Sequence, residues 1–245
     1  MTKNTSVLRT IIIAFAIIAS AFSLSRAWIK THSGRNEISV TGLASKDFAS
    51  DLIVWNGRFS RRATTTKEAY TNLKNDVEIL KKYMLDKGVS ENEIVFSAVN
   101  IDKEYTTTTN KDGAQTSIFW GYTLSQNIEI ESNQVGKIEK VSREITEMID
   151  LGIEFYSTNP NYYYTKLANL KIEMLAQATK DARLRAEKIA ENAGGSIGKL
   201  KQADMGIFQI TAQNGNEEYS WGGAFNTSSK NKTATITVKL LFESN

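Results

Sequence analysis

The sequence contains no cysteine, one proline (Pro160) and one histidine (His32). Without cysteine there is no thiol nucleophile, no thiolate metal site and no disulfide. A single imidazole excludes any centre that needs two. His32 itself falls in a polar linker, where neither a catalytic triad nor a zinc site of the usual kind can be built around it. Acids are missing from residues 1–36, which carry Lys3, Arg9, Arg26, Lys30 and Arg35. The formal charge of +3 therefore resides in that segment; the remainder has 25 basic and 27 acidic residues, a net charge of −2. A slightly acidic body argues against broad binding to a phosphate backbone, so no nucleic acid partner is expected. With 245 residues, 41% hydrophobic and 23% charged, the chain can bury the core of one domain or two small ones. That composition excludes a disordered or collagen-like chain.

There is one long apolar run. Ile11 to Leu24 reads IIIAFAIIASAFSL, preceded by Lys3 and Arg9. A basic stretch followed by an apolar one is the layout of an export signal. Ala19-Ser20-Ala21 and Ser25-Arg26-Ala27 offer small residues at cleavage-type spacing. Alternatively the segment is kept as a membrane anchor. Residues 11–25 as a helix reach only about 22 Å, short of the roughly 30 Å hydrocarbon core. Val7 to Ile29 is long enough, with Arg9 and Arg26 reaching to the interfaces. The anchor is the preferred reading and the cleaved signal its alternative. Residues 1–29 are thus assigned to the anchor or signal, 30–36 to a linker, and 37–245 to the folded domain.

Beyond the linker, hydrophobic periodicity predicts strands over Glu37–Thr41 and Asp51–Ser60, with Leu43–Ser50 as a polar connection. Thr64–Lys87 has the spacing of a helix whose buried stripe is Ala69, Tyr70, Leu73, Val77, Leu80 and Met84, stopped by Gly88. Glu93–Tyr105 and Gln115–Glu131 read as a long hairpin with Asp112-Gly113 in its turn. A second helix is expected from Asn133 to Leu151, a short strand at Ile153–Ser157 and a turn at Asn159-Pro160-Asn161. The third helix, Thr165–Ala193, has the stripe Leu167, Leu170, Met174, Ala178, Ala182, Ile189 and Ala193, whose alanines suggest close packing against a sheet. Ile197–Thr211 and Thr233–Phe242 are the last strands, separated by a polar loop over Ala212–Lys232. Paired strands between single helices make an α+β pattern: a mainly antiparallel sheet with three helices packed on it, preceded by an N-terminal transmembrane or signal helix.

Few residues suggest chemistry. Gly194-Gly195-Ser196-Ile197-Gly198-Lys199 fails as a phosphate loop, because its spacing is one residue short and it follows a helix. Asp47, Asp51, Asp102 and Glu104 lie in or near strands, but the sequence brings no two of them to catalytic separation. Lys180–Lys188 (KDARLRAEK) mixes signs and reads as a solvated helix face. No catalytic, metal or cofactor residue is assigned. The aromatics are the interaction candidates. Phe119, Trp120 and Tyr122 share a strand; Tyr162, Tyr163 and Tyr164 form a run; Tyr219, Trp221 and Phe225 occupy the long loop. From these, Trp120, Tyr122, Tyr163, Trp221 and Phe225 are taken as candidate contacts for an oligomer, a glycan or a lipid.

Several segments, in order, carry a family resemblance. They are Ile38-Ser39-Val40-Thr41-Gly42-Leu43-Ala44, Asp51-Leu52-Ile53-Val54-Trp55, and Leu167-Ala168-Asn169-Leu170-Lys171-Ile172-Glu173-Met174. The last runs on through Ala178-Thr179, Ala182-Arg183, Ala186 and Ile189-Ala190. Gly198-Lys199, Gly206 to Ile210 and Thr235-Ile236-Thr237-Val238 complete the set. The chain resembles the SIMPL-domain proteins, exported bacterial envelope proteins, over residues 37–243. It is most similar to a branch with an N-terminal anchor and an Asp-x-x-x-Trp strand. The resemblance implies an α+β fold, export, and self-association, ring- or channel-like in some members, with links to oxidative or envelope stress. It supplies no catalytic motif.

The expected function is therefore a non-enzymatic, membrane-tethered envelope protein that self-associates, facing the periplasm. A binding module for cell-wall glycan or lipid is the alternative. A hydrolase built on two carboxylates is the third, and it requires an opposed pair about 5–10 Å apart.

Overall fold

The computed structural model describes residues 3–32, 37–109, 115–216 and 220–245, with side chains of the first helix described over 12–28. His32, Tyr219 and the turn at Asp112-Gly113 lie outside the described residues or side chains. Among the described residues four α-helices and ten strands succeed one another as α1 (Lys3–His32), β1 (Glu37–Ala49), β2 (Leu52–Ala63), α2 (Thr66–Asp86), β3 (Ile94–Phe96), β4 (Asn100–Thr109), β5 (Gln115–Ser132), α3 (Val135–Glu144), β6 (Phe155–Ser157), β7 (Asn161–Tyr163), α4 (Leu167–Asn192), β8 (Ile197–Met205), β9 (Gln209–Ala212) and β10 (Asn231–Ser244). The class is α+β with antiparallel pairing, as the paired-strand pattern predicts. There are two sheets rather than one: β1-β10-β8 with β9 on β10, and β3-β5-β2-β6 with β4 on β5 and β7 on β2. The chain divides into two compact units, residues 1–43, 178–206 and 238–245 in one and 44–177 and 207–237 in the other.

The larger unit is organised by β2 and β5, which pair antiparallel from Ile53↔Ser132 to Ala63↔Tyr122. Alternate residues Ile53, Trp55 and Phe59 of β2 and Leu124, Ile128 and Ile130 of β5 point to one face and are buried. Against that face lie Ala69, Leu73, Leu80 and Met84 of α2 and Ile138 and Val141 of α3. Trp55 is fully buried, and its indole N–H donates to Ser157 Oγ of β6 at 3.0 Å. The opposite face of the sheet is the polar one, carried by the residues that alternate with this apolar set.

Local chemistry sets the ends of α2. Thr65 is the N-cap, its side chain accepting from the Glu68 N–H. Gly88, at φ +81°, donates to Leu85 O, and Val89 donates to Met84 O. These bonds close the helix in the manner of a Schellman cap, sealed by buried Val89. The stripe itself differs from expectation at two positions. Tyr70 is exposed, and Asp76 takes an inner place at 2% exposure. Asp76 is accommodated because Arg61 of β2 donates to it twice, Nε to Oδ2 at 2.5 Å and Nη2 to Oδ1 at 2.7 Å. The bond to Asp76 holds the Arg61 guanidinium charged, raising its pKa.

Other boundaries also move. The expected strand Glu93–Tyr105 is broken after Phe96, because β3 and β4 pair with different stretches of β5. The second helix gives way to a 3₁₀ segment, Ile145–Ile149. Asn161, expected in the turn, instead begins a short strand that continues through Tyr162 and Tyr163 on β2. Ile197–Thr211 is two strands, β8 and β9, with a break at 206–208.

In the smaller unit, β10 pairs antiparallel with β8 from Val238↔Met205 to Ser244↔Ile197. The alanine stripe of α4 explains the length of β1. Ala178, Ala182, Ala186 and Ala190 are buried, and a Cβ at Gly42 would run into Ala178 O and Ala182 N. Helix and strand approach that closely only where both carry the smallest side chains. Alternation in β1 is therefore carried by Val40, Gly42 and Ala44 and continues through residues 43–49, which the sequence reading treats as a connection. From Lys199 to Met205, β8 is exposed on both faces.

Helix α1 is 30 residues long, about 45 Å. All its described side chains, Ile12 to Trp28, are exposed. Among the described residues, no helix is long and apolar enough to cross a membrane.

Candidate functional site

The open face of the six-stranded sheet carries a polar surface of the larger unit. Strand periodicity directs Arg58, Ser60 and Arg62 of β2 outward, opposite in sense to the buried Phe59 and to Arg61. On β5 the outward residues are Gly121, Thr123 and Ser125, small and at the centre. On β4 they are Asp102 and Glu104. Register places Arg62, Thr123 and Asp102 in one row across the three strands, since Arg62 pairs with Thr123 and Thr123 with Asp102. At about 4.8 Å per strand spacing, the strands that carry the cations and the acids stand about 10 Å apart on either side of β5, and Arg58 and Glu104 reach in over it.

The floor is sealed. Thr123 is 8% exposed and Ser125 1%, although both lie on the solvent side of the sheet. The Thr123 hydroxyl donates to Glu104 Oε1 at 2.6 Å, and Arg58 Nη2 donates to Ser125 Oγ at 2.8 Å. A cavity of about 440 Å³ is lined by Arg58, Ser60, Arg62, Asp102, Glu104, Thr123 and Tyr156. A neighbouring one of about 230 Å³ shares Arg62 and Glu104 and adds Tyr105, Thr106 and Trp120. Tyr156 donates a short hydrogen bond to Glu154. That bond pushes the phenol pKa up, while Arg62 and Arg58 pull it down.

Trp120 reaches this surface through a bulge. Glu104 pairs with Gly121 and Tyr105 with Phe119, so Trp120 is the extra residue on β5. The bulge leaves Tyr105, Phe119 and Tyr122 together, ring to ring at 5.8 Å and 5.2 Å. Tyr122 is half-buried and packs against the core. Tyr163 is half-buried in β7, where its carbonyl accepts from Asp51 N–H. Its neighbours are structural too, Tyr162 donating to Glu139 at 3.3 Å and Tyr164 packing 4.8 Å from Phe48.

The loop before β10 forms a second feature. Gln209 ties it from both sides, donating to Ser220 O and accepting from Ala224 N–H at 2.7 and 2.5 Å. Lys232, 1% exposed, donates to Tyr162 O at 2.6 Å and Asn226 O at 2.5 Å. On this fastened loop Trp221 is 96% exposed. Phe225 lines a separate cavity of about 190 Å³ with Leu167, Lys171, Phe208 and Ile210. The five candidate aromatics therefore do not converge on one site.

The four carboxylates are also separated by role. Asp51 accepts from the Thr165 N–H and hydroxyl, fastening the chain just ahead of α4. Asp47 accepts from Thr233 and Gln213. Asp102 and Glu104 stand side by side on one strand rather than opposed across a cleft. Among the described residues no group of three or more His, Asp or Glu side chains could hold a metal ion. Gly194, at φ +81°, closes α4 with a bond to Glu191 O, which accounts for the glycine-rich stretch as a helix cap. The charged face of α4 is paired within itself, Arg183 with Glu187 and Arg185 with Asp181.

The family model named SIMPL, described as a protein of unknown function (DUF541), matches residues 38–240. No curated protein matches the chain.

Proposed function

The chain belongs to the SIMPL family, and from that premise we propose that it is a non-enzymatic envelope protein, held in the inner membrane by α1 with its folded units in the periplasm. The observation that carries this reading is the surface of α1. Its described apolar side chains include Ile12, Ile17, Phe22 and Trp28, each at least 59% exposed, and they sit on all sides of the helix rather than along one stripe. A helix apolar all round has no polar face to turn to water, which suits it to hydrocarbon. Ser20, within the run, donates to Ala16 O at 2.8 Å and so carries its hydroxyl satisfied into an apolar phase. Basic, acid-free flanks at both ends of the run suit two membrane interfaces and set no orientation. A helix clipped after export, leaving a periplasmic domain, is the alternative form. Removing residues 1–29 is expected to release the protein from the membrane fraction; retention of the truncated chain would contradict the assignment.

Self-association is proposed to use β8. It ends the order β1-β10-β8, and Leu200 and Met205 are 53% and 66% exposed. A long edge of that kind is a template for strand pairing between copies. Native sizing of the full chain in detergent is expected to show an oligomer, shifted toward monomer by Leu200→Lys with Met205→Lys. A monomer at all concentrations would rule this out. A role in envelope or oxidative stress is proposed with the family; having no cysteine, the chain would act there without thiol chemistry.

A second reading, contact with cell-wall glycan or lipid, is favoured by Trp221. An almost fully exposed indole on a loop fastened by Gln209 and Lys232 loses little entropy when it docks. Trp221→Ala is expected to reduce retention on purified wall material or on lipid vesicles, whichever is the partner.

A further inference from the structure

We propose that the cavity beneath the loop before β10 binds a small aryl carboxylate, its ring among Leu167, Phe208, Ile210 and Phe225 and its carboxylate against Lys171. This goes beyond membrane tethering and self-association and requires neither. It is also separate from the exposed ring of Trp221, which does not line the cavity.

Three observations support it. The first is the lining. Leu167 opens α4, Phe208 and Ile210 belong to the chain entering β9, and Phe225 belongs to the loop, so apolar side chains from three segments border one space. Ile210, 2% exposed, forms its inner side. Gly222, Gly223 and Ala224 complete the lining and leave the space that larger side chains would take. A Cβ at Gly223, whose φ is +92°, would stand 3.1 Å from Phe208 O and 3.4 Å from Ile207 Cγ2, so the loop backbone lies close over Phe208. It is fastened there: Ile210 N–H donates to Ala224 O at 2.7 Å, and Asn226 N–H donates to Ile210 O at 3.0 Å. A cavity with fixed walls loses little entropy when it is filled.

The second is the charge at the rim. Lys171 stands one turn along α4 from Leu167, and its Nζ lies 5.3 Å from the centre of the Phe208 ring. Among the described residues it makes no ion pair or hydrogen bond. In sequence no acid occurs between Glu154 and Glu173. Glu173 is engaged by Lys46, and Asp51 by Thr165. The ammonium is thus held over an apolar space without a carboxylate of its own. A cation so placed selects an anion and rejects an amine.

The third is the match in size. An apolar cavity of about 150 Å³ lined by Leu, Ile and Phe stays dry and takes benzene. The cavity here is about 190 Å³, which accommodates one ring with a short arm and excludes a long acyl chain. Lys171 and Gly222 are exposed, so the arm meets the ammonium at the solvent side and no charge is buried unpaired. Phe208 and Phe225 favour a ring over an aliphatic body, since aromatic pairs gain beyond their buried area.

The test is a ligand-observed NMR titration of the full chain in detergent with phenylacetate, phenylethanol, phenethylamine and acetate, empty micelles serving as the reference. Phenylacetate is expected to bind at millimolar concentration or below. Phenylethanol is expected to bind about ten-fold more weakly, the scale of one hydrogen bond to a charged group. Lys171→Met should bring phenylacetate down to the level of phenylethanol, and Lys171→Arg should keep the preference for the acid. Phe225→Ala should weaken both ligands alike, and Trp221→Ala neither. Lys171 and Phe225 are exposed, and circular dichroism of each variant establishes that the fold is kept. No binding of phenylacetate, acetate or phenethylamine binding as tightly, an acid preference that survives Lys171→Met, or loss of binding in Trp221→Ala would each overturn the proposal.

Discussion

At the scale of single residues, the decisive fact is which side of a strand a charge points to. Arg61 and Arg62 are neighbours in sequence and opposite in direction. Arg61 turns inward and neutralises Asp76, which is 2% exposed; Arg62 turns outward to the open face of the sheet. Replacing Arg61 by Leu leaves a buried carboxylate without its partner and should cost about 3 kcal/mol in urea unfolding, the lower end for a buried pair because Arg61 is partly exposed. Arg61→Leu with Asp76→Leu together should recover most of that loss. A second residue-scale prediction concerns acid. Asp181 accepts from the Leu43 N–H at 2.8 Å, and this bond lowers its pKa. Glu144 is likewise lowered, by its bond to Lys87. A carboxyl whose folded pKa lies below its unfolded one contributes stability above the unfolded value and loses it as the pH falls through the folded value. The melting temperature is therefore expected to decline as the pH drops below about 4.5, the ordinary glutamate value, and Asp181→Asn should flatten part of that decline. A melting temperature that rose on acidification would contradict the assignment. The inward and outward arginines were not legible in the sequence, because the apolar alternation of β2 fades at Ser60 and sets no parity for Arg61 and Arg62. The buried Asp76 and Lys232 were missed for a related reason: each is placed by contacts that hydrophobic periodicity does not encode, Asp76 by a guanidinium on β2 and Lys232 by the carbonyl of Tyr162.

At the scale of elements, small residues govern packing. The sequence places Leu170, Met174, Ala178 and Ala182 on the buried stripe of this helix and the structure agrees, but towards its end the buried residues are Ala186 and Ala190 rather than Ile189 and Ala193, which are exposed. What periodicity did not reveal was the matching strand, because Gly42 and Ala44 alternate with polar residues too weakly to read as an apolar pattern. Gly42→Val should force α4 off β1 and cost about 1–3 kcal/mol, the range for overpacking a tight interior. A measured unfolding free energy indistinguishable from the parent's would show that the contact is loose. Loop 213–230 illustrates the limit of composition as a guide. Its Gly, Asn and Ser content reads as a plain polar connection, yet Gln209 and Lys232 hold it from two strands. Lys232→Met removes the donor to Asn226 O and Tyr162 O, and hydrogen exchange in residues 220–230 should accelerate. Unchanged exchange would mean that Gln209 alone fastens the loop.

At the scale of the whole molecule, the account rests on a division of labour. The N-terminal helix carries an uncharged apolar run from Ile11 to Leu24, and the described residues of the two units include no metal cluster and no opposed carboxylates among the four candidates. The class and the antiparallel pairing were legible because long strands and amphipathic helices leave strong periodic signals, and the family through the resemblance of an ordered set of short segments. The separation into two sheets was not, since strand order depends on pairings between β1 and β10 that lie almost two hundred residues apart. The most direct test of the central claim is the intact mass of the native protein recovered from membranes after an alkaline wash. The account predicts retention in the membrane pellet at the full 27.3 kDa. Recovery in the wash at that same full mass would contradict it.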